Sequence, residues 1–104
     1  MSTPVPQFDP VIHAPARLQI ASILSAVNEA EFSFVRDAVK VSDSVLSKHL
    51  SQLEDVGYIR LRKAALGGRQ RTWLSLTREG RRAFVAHVKA LEQLVQAADR
   101  IAAE

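Results

Sequence analysis

Basic side chains are concentrated in one stretch of this 104-residue chain. Between Tyr58 and Arg82 the chain has a single acidic residue, Glu79, and eight basic residues: Arg60, Arg62, Lys63, Arg69, Arg71, Arg78, Arg81 and Arg82. The totals are 14 basic and 11 acidic residues, so six basic and ten acidic residues lie elsewhere. A cationic block on an otherwise mildly acidic chain is typical of a surface that binds a polyanion such as nucleic acid. A solvated, arginine-rich hairpin has the same composition, so charge alone leaves both interpretations open.

The other residue types that carry chemistry favour neither catalysis nor metal binding. The chain lacks cysteine, which excludes disulfides, thiolate metal sites and cysteine catalysis. His13 and His87 are far apart in sequence and, with His49, do not follow a metal-ligand spacing. Paired carboxylates, a phosphate-binding glycine loop and a nucleophile with a supporting base are also missing from the sequence. We therefore predict a protein that is not an enzyme, with no cofactor and no metal site.

The sequence also lacks the signals of a membrane or secreted protein. Its apolar residues are dispersed, and no run approaches the roughly 18–20 residues that cross a bilayer. Residues 1–7 have neither the basic region nor the apolar region of a secretory signal. We therefore predict one compact, cytoplasmic domain without a membrane partner.

Apolar spacing predicts two helices in the first part of the chain. The first helix spans about 14–28 and follows a proline-rich N-terminal arm, residues 1–13. A short edge strand at 31–32 separates it from a second, short helix that Ser33 caps. The apolar side of this second helix is predicted to consist of Phe34, Val35, Ala38 and Val39.

A third helix, about 44–56, has a stronger signal. Ser42 or Asp43 supplies its N-cap, and Gly57 follows it as a residue that can take positive φ. The predicted buried stripe is spaced i, i+4, i+7 and consists of Leu46, Leu50 and Leu53. The opposite face, which carries short side chains, is therefore predicted to be exposed.

A period of two replaces the helical period after Gly57. Ile59 and Leu61 alternate with Arg60 and Arg62, and Thr72, Leu74 and Leu76 alternate with Arg71, Trp73 and Ser75. Because Gly67 and Gly68 lie between these runs, the pattern predicts a β-hairpin with basic arms. Thr77 then caps a last helix, about 78–102. The predicted organisation is an arm (1–13), a domain of helices and a hairpin (14–77), and a C-terminal helix (78–104).

Two segments resemble the compact MarR-like and ArsR-like winged helix-turn-helix regulators. Leu46–Ile59 is similar to the recognition helix of these proteins running into the first wing strand, and Gly67–Arg81 is similar to the returning wing strand and a Leu-Thr-x-x-Gly-Arg helix start. With the first helix, the resemblance covers about residues 8–95. It implies a mainly α fold with a small β-hairpin wing and a long C-terminal dimerisation helix. The chain is shorter than typical MarR proteins, with one such helix, and lacks the metal-ligand clusters of ArsR-type sensors.

The resemblance places a DNA-binding surface on the third helix and the hairpin. An exposed helix face fits the major groove, where lysine donates to guanine and glutamine pairs with adenine. The residues predicted to face the bases are Ser44, Val45, Ser47, Lys48, Ser51 and Gln52. The wing cations predicted to neutralise phosphates are Arg62, Lys63, Arg69 and Arg71. The alternative is an ordinary solvated helix face and hairpin.

The last helix is longer than the winged domain requires. At 1.5 Å per residue, a helix over 78–102 spans roughly 40 Å. Its predicted apolar stripe, assigned to dimerisation, consists of Phe84, Val88, Leu91, Leu94, Val95 and Ala98. An exposed stripe favours a two-fold partner, because cyclic dimers are common and match palindromic DNA. The alternative is a helix folded back onto its own domain.

Together these features favour a sequence-specific regulator of transcription that binds double-stranded DNA as a homodimer. Repression at a palindromic operator is the simplest mode, since steric occlusion of a promoter needs no further surface. The MarR resemblance also suggests a small aromatic effector between the last helix and the core. Two other functions stay open: an architectural DNA-binding protein, and an interaction module whose basic hairpin faces an acidic protein partner.

Overall fold

The computed structural model describes residues 7–104, and in them the chain forms five helices and three strands. The helices are α1 (Pro10–His13), α2 (Pro15–Ser25), α3 (Phe32–Val39), α4 (Asp43–Asp55) and α5 (Arg78–Ala103). The strands are β1 (Ala30–Glu31), β2 (Ile59–Leu66) and β3 (Arg69–Leu76), and they form one antiparallel sheet in the order β1–β3–β2. The predicted fold, mainly helical with a small hairpin wing and a long C-terminal helix, is confirmed.

Local signals set most of the element boundaries. The Ser42 hydroxyl accepts a hydrogen bond from the Val45 amide at the start of α4, and the Thr77 hydroxyl accepts one from the Gly80 amide at the start of α5. Gly57 follows α4 with a φ of 78°, as its position after the helix predicted. Lys40 ends α3 in the left-handed region, with a φ of 62°.

Helix α3 differs from the sequence prediction. It begins at Phe32 with Glu31 as its N-cap residue, and Ser33 lies inside the first turn. Its inner face is formed at spacing i, i+3, i+7 by Phe32, Val35 and Val39. Phe34, which is 61% exposed, and Ala38 both lie outside this stripe on the exposed surface, so their predicted place on the apolar side is wrong.

One hydrophobic core joins the helices to the sheet. The leucine stripe of α4 is buried as predicted, and it packs with Ile20 and Leu24 of α2 and with Leu74 of β3. Ile12 of α1 is also fully buried. The second half of the predicted arm is therefore part of the folded domain, whereas residues 1–6 of that arm lie outside the described residues.

The C-terminal helix gives the chain its elongated shape, with extents of 62 × 24 × 21 Å. Gly80, His87 and Ala90 of α5 are buried against the rest of the chain. After Leu91 the helix residues are exposed, except for a half-buried Ala97. None of the helices in residues 7–104 is both long and apolar enough to span a membrane.

Candidate nucleic-acid interface

Helix α4 presents a continuous polar face to solvent. Because the side chains of its leucine stripe point into the core, the residues on the other sides of the helix remain outside. All six side chains predicted to face DNA bases are exposed: Ser44, Val45, Ser47, Lys48, Ser51 and Gln52. The helix carries its acidic residues at the two ends, Asp43 and Glu54–Asp55, so the middle of this face has no negative charge.

The N-terminal end of α4 is fixed to α3 by an arginine. The Arg36 guanidinium donates to Asp43 at 2.9 Å and to Asp37 at 2.9 Å. The hydrogen bonds to Asp37 and then to Asp43 raise the pKa of Arg36 above its ordinary value. This ion pair links α3 to α4, and the sequence alone did not predict it.

The C-terminal half of α4 is tied to α2 through a second arginine. Arg17 donates from Nη1 to the Gln52 side-chain oxygen and lies 3.2 Å from His49 Nδ1, while its Nε donates to the Val11 carbonyl at 2.6 Å. Burial and then the charge of Arg17 lower the pKa of His49. Of the predicted base-facing side chains, Gln52 therefore already has a hydrogen-bond partner, Arg17, within the chain.

The register of the hairpin divides the wing cations between two faces. Arg62 lies opposite Trp73, Ala64 opposite Arg71, and Leu66 opposite Arg69, so the three arginines share one face. Lys63 lies opposite Thr72, on the face that carries the buried Ile59 and Leu74 further along the strands. The four predicted phosphate contacts are therefore not a single patch.

Two of the wing arginines form ion pairs with acids near the edge strand β1. Arg62 donates from Nε and Nη2 to the two carboxylate oxygens of Glu29 at 3.0 and 2.8 Å. Arg71 donates to Glu31 at 3.0 Å. The hydrogen bond from Arg62 lowers the pKa of Glu29 and raises that of Arg62. These acids, Glu31 in β1 and Glu29 just before it, were not predicted as partners of the wing arginines.

Lys63 and Arg69 make no ion pair within residues 7–104. Arg69 follows Gly67 and Gly68, whose φ values of 59° and 76° form the tight turn at the tip of the wing. Both cations are exposed, with no acid of the described chain to displace before a phosphate binds them. These two are the wing cations best placed to meet an external anion.

The predicted dimerisation stripe falls into two parts. Phe84, Val88 and Leu91 are half-buried, and Phe84 packs against the core of its own domain. Leu94 and Val95 are 51% and 59% exposed, and Ala98 is exposed as well. No described residue of the chain covers this second part of the stripe. The alternative in which the last helix folds back onto its own domain is therefore not observed.

Comparison with known proteins agrees with this geometry. Residues 16–95 match the profile of the family described as winged helix DNA-binding domain. An uncharacterized protein of Methanocaldococcus jannaschii is 27% identical over 84 residues, which make up 81% of this chain and 91% of that protein.

Two solved structures have the same fold. A transcriptional regulator homologue from Pyrococcus horikoshii OT3 has a TM-score of 0.80 at 24% identity, covering 86% of this chain and 88% of its own. The crystal structure of MarR has a TM-score of 0.73 at 18% identity, covering 86% of this chain and 65% of its own. The family match spans most of the sequence, so the chain belongs to the winged helix DNA-binding domain family and has the fold of MarR-like transcription regulators.

Proposed function

We propose that this protein is a sequence-specific repressor of transcription that binds a palindromic operator as a homodimer. The observation that carries the proposal is the exposed, acid-free middle of α4, beside a wing whose Lys63 and Arg69 are free of ion pairs within the described chain. Short side chains on α4 permit close approach to a groove, and the cations neutralise the adjacent backbone.

The residues of this surface have different roles in the proposal. Lys48 donates to guanine O6 or N7, and Val45 contacts a thymine methyl group. The hydroxyls of Ser44, Ser47 and Ser51 bond to bases or phosphates, and Gln52 reads a base only after Arg17 releases it. Lys63 and Arg69 contact phosphates directly, whereas Arg62 and Arg71 must first exchange a carboxylate for a phosphate.

The exposed face of α5 supports the homodimer. Its first half carries Arg78, Arg81, Arg82 and Lys89 around Val85 on one side of the helix. Its second half carries Glu92 next to Val88, Leu91 and Val95, and Asp99 one turn later. A second copy that packs antiparallel along this helix therefore sets basic residues against acidic ones while it covers the apolar side chains. Two subunits related in this way present two copies of α4, as a palindromic operator requires.

The test compares two variants, one expected to lose base preference and the other expected to lose a phosphate contact. Binding to selected and to scrambled duplexes is titrated at several salt concentrations for wild type, Lys48→Ala and Arg69→Ala. Lys48→Ala is expected to lose about 1–3 kcal/mol on the selected duplex and to relax the preference at one base pair. Arg69→Ala is expected to weaken both duplexes similarly and to lower the log–log salt slope by about 1.

Arg100→Ala serves as the control, because it removes the same charge near the exposed end of α5, away from α4 and the wing. Duplex selection from a random pool supplies the operator and tests its symmetry. Failure to bind any duplex at low ionic strength would overturn the proposal and favour the protein-interaction module. Binding without preference for any selected sequence would favour the architectural protein instead. The small aromatic effector stays a prediction from the resemblance.

A further inference from the structure

A buried histidine of α5 holds the N-terminal segment in place. His87 is 1% exposed, and its Nδ1 lies 3.0 Å from the backbone nitrogen of Asp9. Its Nε2 lies 3.1 Å from Nδ1 of His13, at the end of α1. Phe8 packs against both imidazoles, with ring centroids 5.1 Å from His13 and 5.5 Å from His87. Side chains 74 residues apart in sequence thus form one cluster.

The hydrogen bonds fix the proton positions of this pair. The Asp9 amide is a donor, so Nδ1 of His87 must be unprotonated. Neutral His87 therefore carries its proton on Nε2 and donates it to Nδ1 of His13, which is unprotonated in turn. The lone pair of Nε2 is then not available to a metal ion, and residues 7–104 contain no group of three or more candidate metal ligands.

We infer that His13 and His87 form a proton-sensitive clasp that releases the segment Asp9–His13 from α5 when the His87 imidazole takes up a proton. A proton on Nδ1 of His87 faces the Asp9 amide hydrogen, so two donors meet and that bond is lost. One of the two hydrogen bonds between the segment and α5 thereby becomes a repulsive contact.

The groups around the clasp set its direction with pH. His87 faces His13 and Asp9, and burial, then the charge of His13, lower its pKa although Asp9 opposes them. Asp9 also accepts from Tyr58 at 2.6 Å and from the Val11 and Ile12 amides. Burial alone would raise the pKa of Asp9, but these hydrogen bonds outweigh it and lower the pKa. The Asp9 carboxylate therefore stays charged over the pH range in which His87 takes up its proton.

The sign of the linkage follows from the lowered pKa of His87. Release removes the contacts that lower the pKa of His87, so the released form binds the proton more tightly. Its population therefore rises as the pH falls below the ordinary histidine pKa of about 6.5. The clasp is stable above this pH and weakens as the pH falls, by up to about tenfold per pH unit for one proton. The bond from Tyr58 to Asp9 does not titrate in this range, because Asp9 raises the pKa of Tyr58 to about 12. Release therefore breaks the contact of the segment with α5 and leaves the hydrogen bond between Tyr58 and Asp9 in place.

The test uses NMR on the full chain. Long-range proton–nitrogen spectra at pH 7.5 are expected to show His87 protonated on Nε2 and not on Nδ1. The protection factor of the Asp9 amide against hydrogen exchange is expected to fall between pH 7.5 and 5, by at most about thirtyfold for one proton. The Tyr58 amide, which donates to the Leu53 carbonyl at 2.9 Å, is expected to keep its protection over the same range.

Two variants separate the clasp from general acid destabilisation. His87→Leu is expected to leave the Asp9 amide unprotected at every pH while far-UV circular dichroism stays native. His13→Asn, whose amide oxygen replaces Nδ1 as the acceptor, is expected to keep the protection of Asp9 at pH 7.5. A proton on Nδ1 of His87 in the wild type, or Asp9 protection that is unchanged down to pH 5, would overturn the inference. The wild-type measurement decides even if a variant does not fold.

Discussion

Two wing arginines are bound to carboxylates before any nucleic acid arrives. Arginine can bind a carboxylate or a phosphate through the same N–H groups. Arg62 holds both carboxylate oxygens of Glu29 and Arg71 holds one oxygen of Glu31, so these acids occupy donors that a phosphate would use. Ion pairs this exposed contribute little to stability. They matter because the carboxylates compete with DNA phosphates for the same arginines. A phosphate binds such an arginine with a smaller gain in free energy, since the carboxylate must leave first. At the scale of single residues, these acids are expected to limit the affinity of the wing for DNA.

Replacing Glu29 by glutamine is expected to strengthen duplex binding a few-fold and to steepen the log–log salt slope by up to about 1. The physical reason is that Arg62 then reaches a phosphate without exchange. The measurement is a salt titration of binding, with Glu104→Gln at the exposed end of α5 as the control for an equal change in net charge away from the wing. Weaker binding by Glu29→Gln would instead mean that the carboxylate holds Arg62 in the orientation in which it contacts DNA.

At the scale of elements, the start of α5 is locked to the turn between α4 and β2. The Thr77 hydroxyl donates to the Gly57 carbonyl at 2.6 Å, and the Thr77 amide donates to the Tyr58 carbonyl at 3.0 Å. Gly80 lies one turn further on, against the same backbone. A Cβ at Gly80 would lie 2.8 and 2.9 Å from the Tyr58 carbonyl carbon and Cα, closer than such contacts allow. The glycine of the Leu-Thr-x-x-Gly-Arg pattern is thus required because α5 lies so close to the backbone of Tyr58, just before β2.

The variant Gly80→Ala tests this contact, because two physical effects predict opposite changes in the free energy of unfolding. Helix propensity alone predicts that alanine stabilises the protein by about 1 kcal/mol. The contact with Tyr58 predicts a loss of about 1–3 kcal/mol, since backbone must shift. Urea unfolding followed by circular dichroism measures the difference. Gly68→Asn is the control, with open space around it and a residue that tolerates positive φ. An increase in the free energy of unfolding for Gly80→Ala would contradict the proposed contact.

The sequence predicted those elements whose signals are local. The leucine stripe of α4, the Thr77 cap and the Gly67–Gly68 tip each depend on neighbours within a few residues, and all three were placed as the structure has them. Contacts between distant residues have no such signal. The hydrogen bond of His87 to Asp9 joins residues 78 apart, and the pair of Glu29 with Arg62 joins residues 33 apart. These tertiary contacts are the parts of the site and of the N-terminal segment that the sequence analysis did not contain.

At the scale of the whole molecule, α5 extends beyond the domain that it starts from. The subunit is 62 Å long and 21–24 Å wide, and the apolar side chains of Leu94, Val95 and Ile101 are exposed along the projecting half. Apart from Glu79 and Arg100, the charges on the same helix change sign along its length, from the arginines at its start to Glu92 and Asp99. An antiparallel second copy satisfies both features at once, because it covers the apolar residues and pairs opposite charges. Parallel packing would set like charges side by side.

Placing a charge in the centre of this face is expected to separate the subunits. In Val95→Glu the carboxylate falls among Val88 and Leu91 and has to be desolvated if a partner helix covers it. We expect wild type to sediment as a dimer at micromolar concentration and Val95→Glu as a monomer. The same variant is expected to lose at least tenfold in affinity for a palindromic duplex while it keeps its affinity for a single half-site, since each α4 is unchanged. Gln93→Glu adds the same charge at an exposed position on another side of the helix and should leave the dimer intact. A monomeric wild type, or a Val95→Glu dimer, would remove the homodimer from the proposed function and leave the winged domain to bind DNA as a single copy.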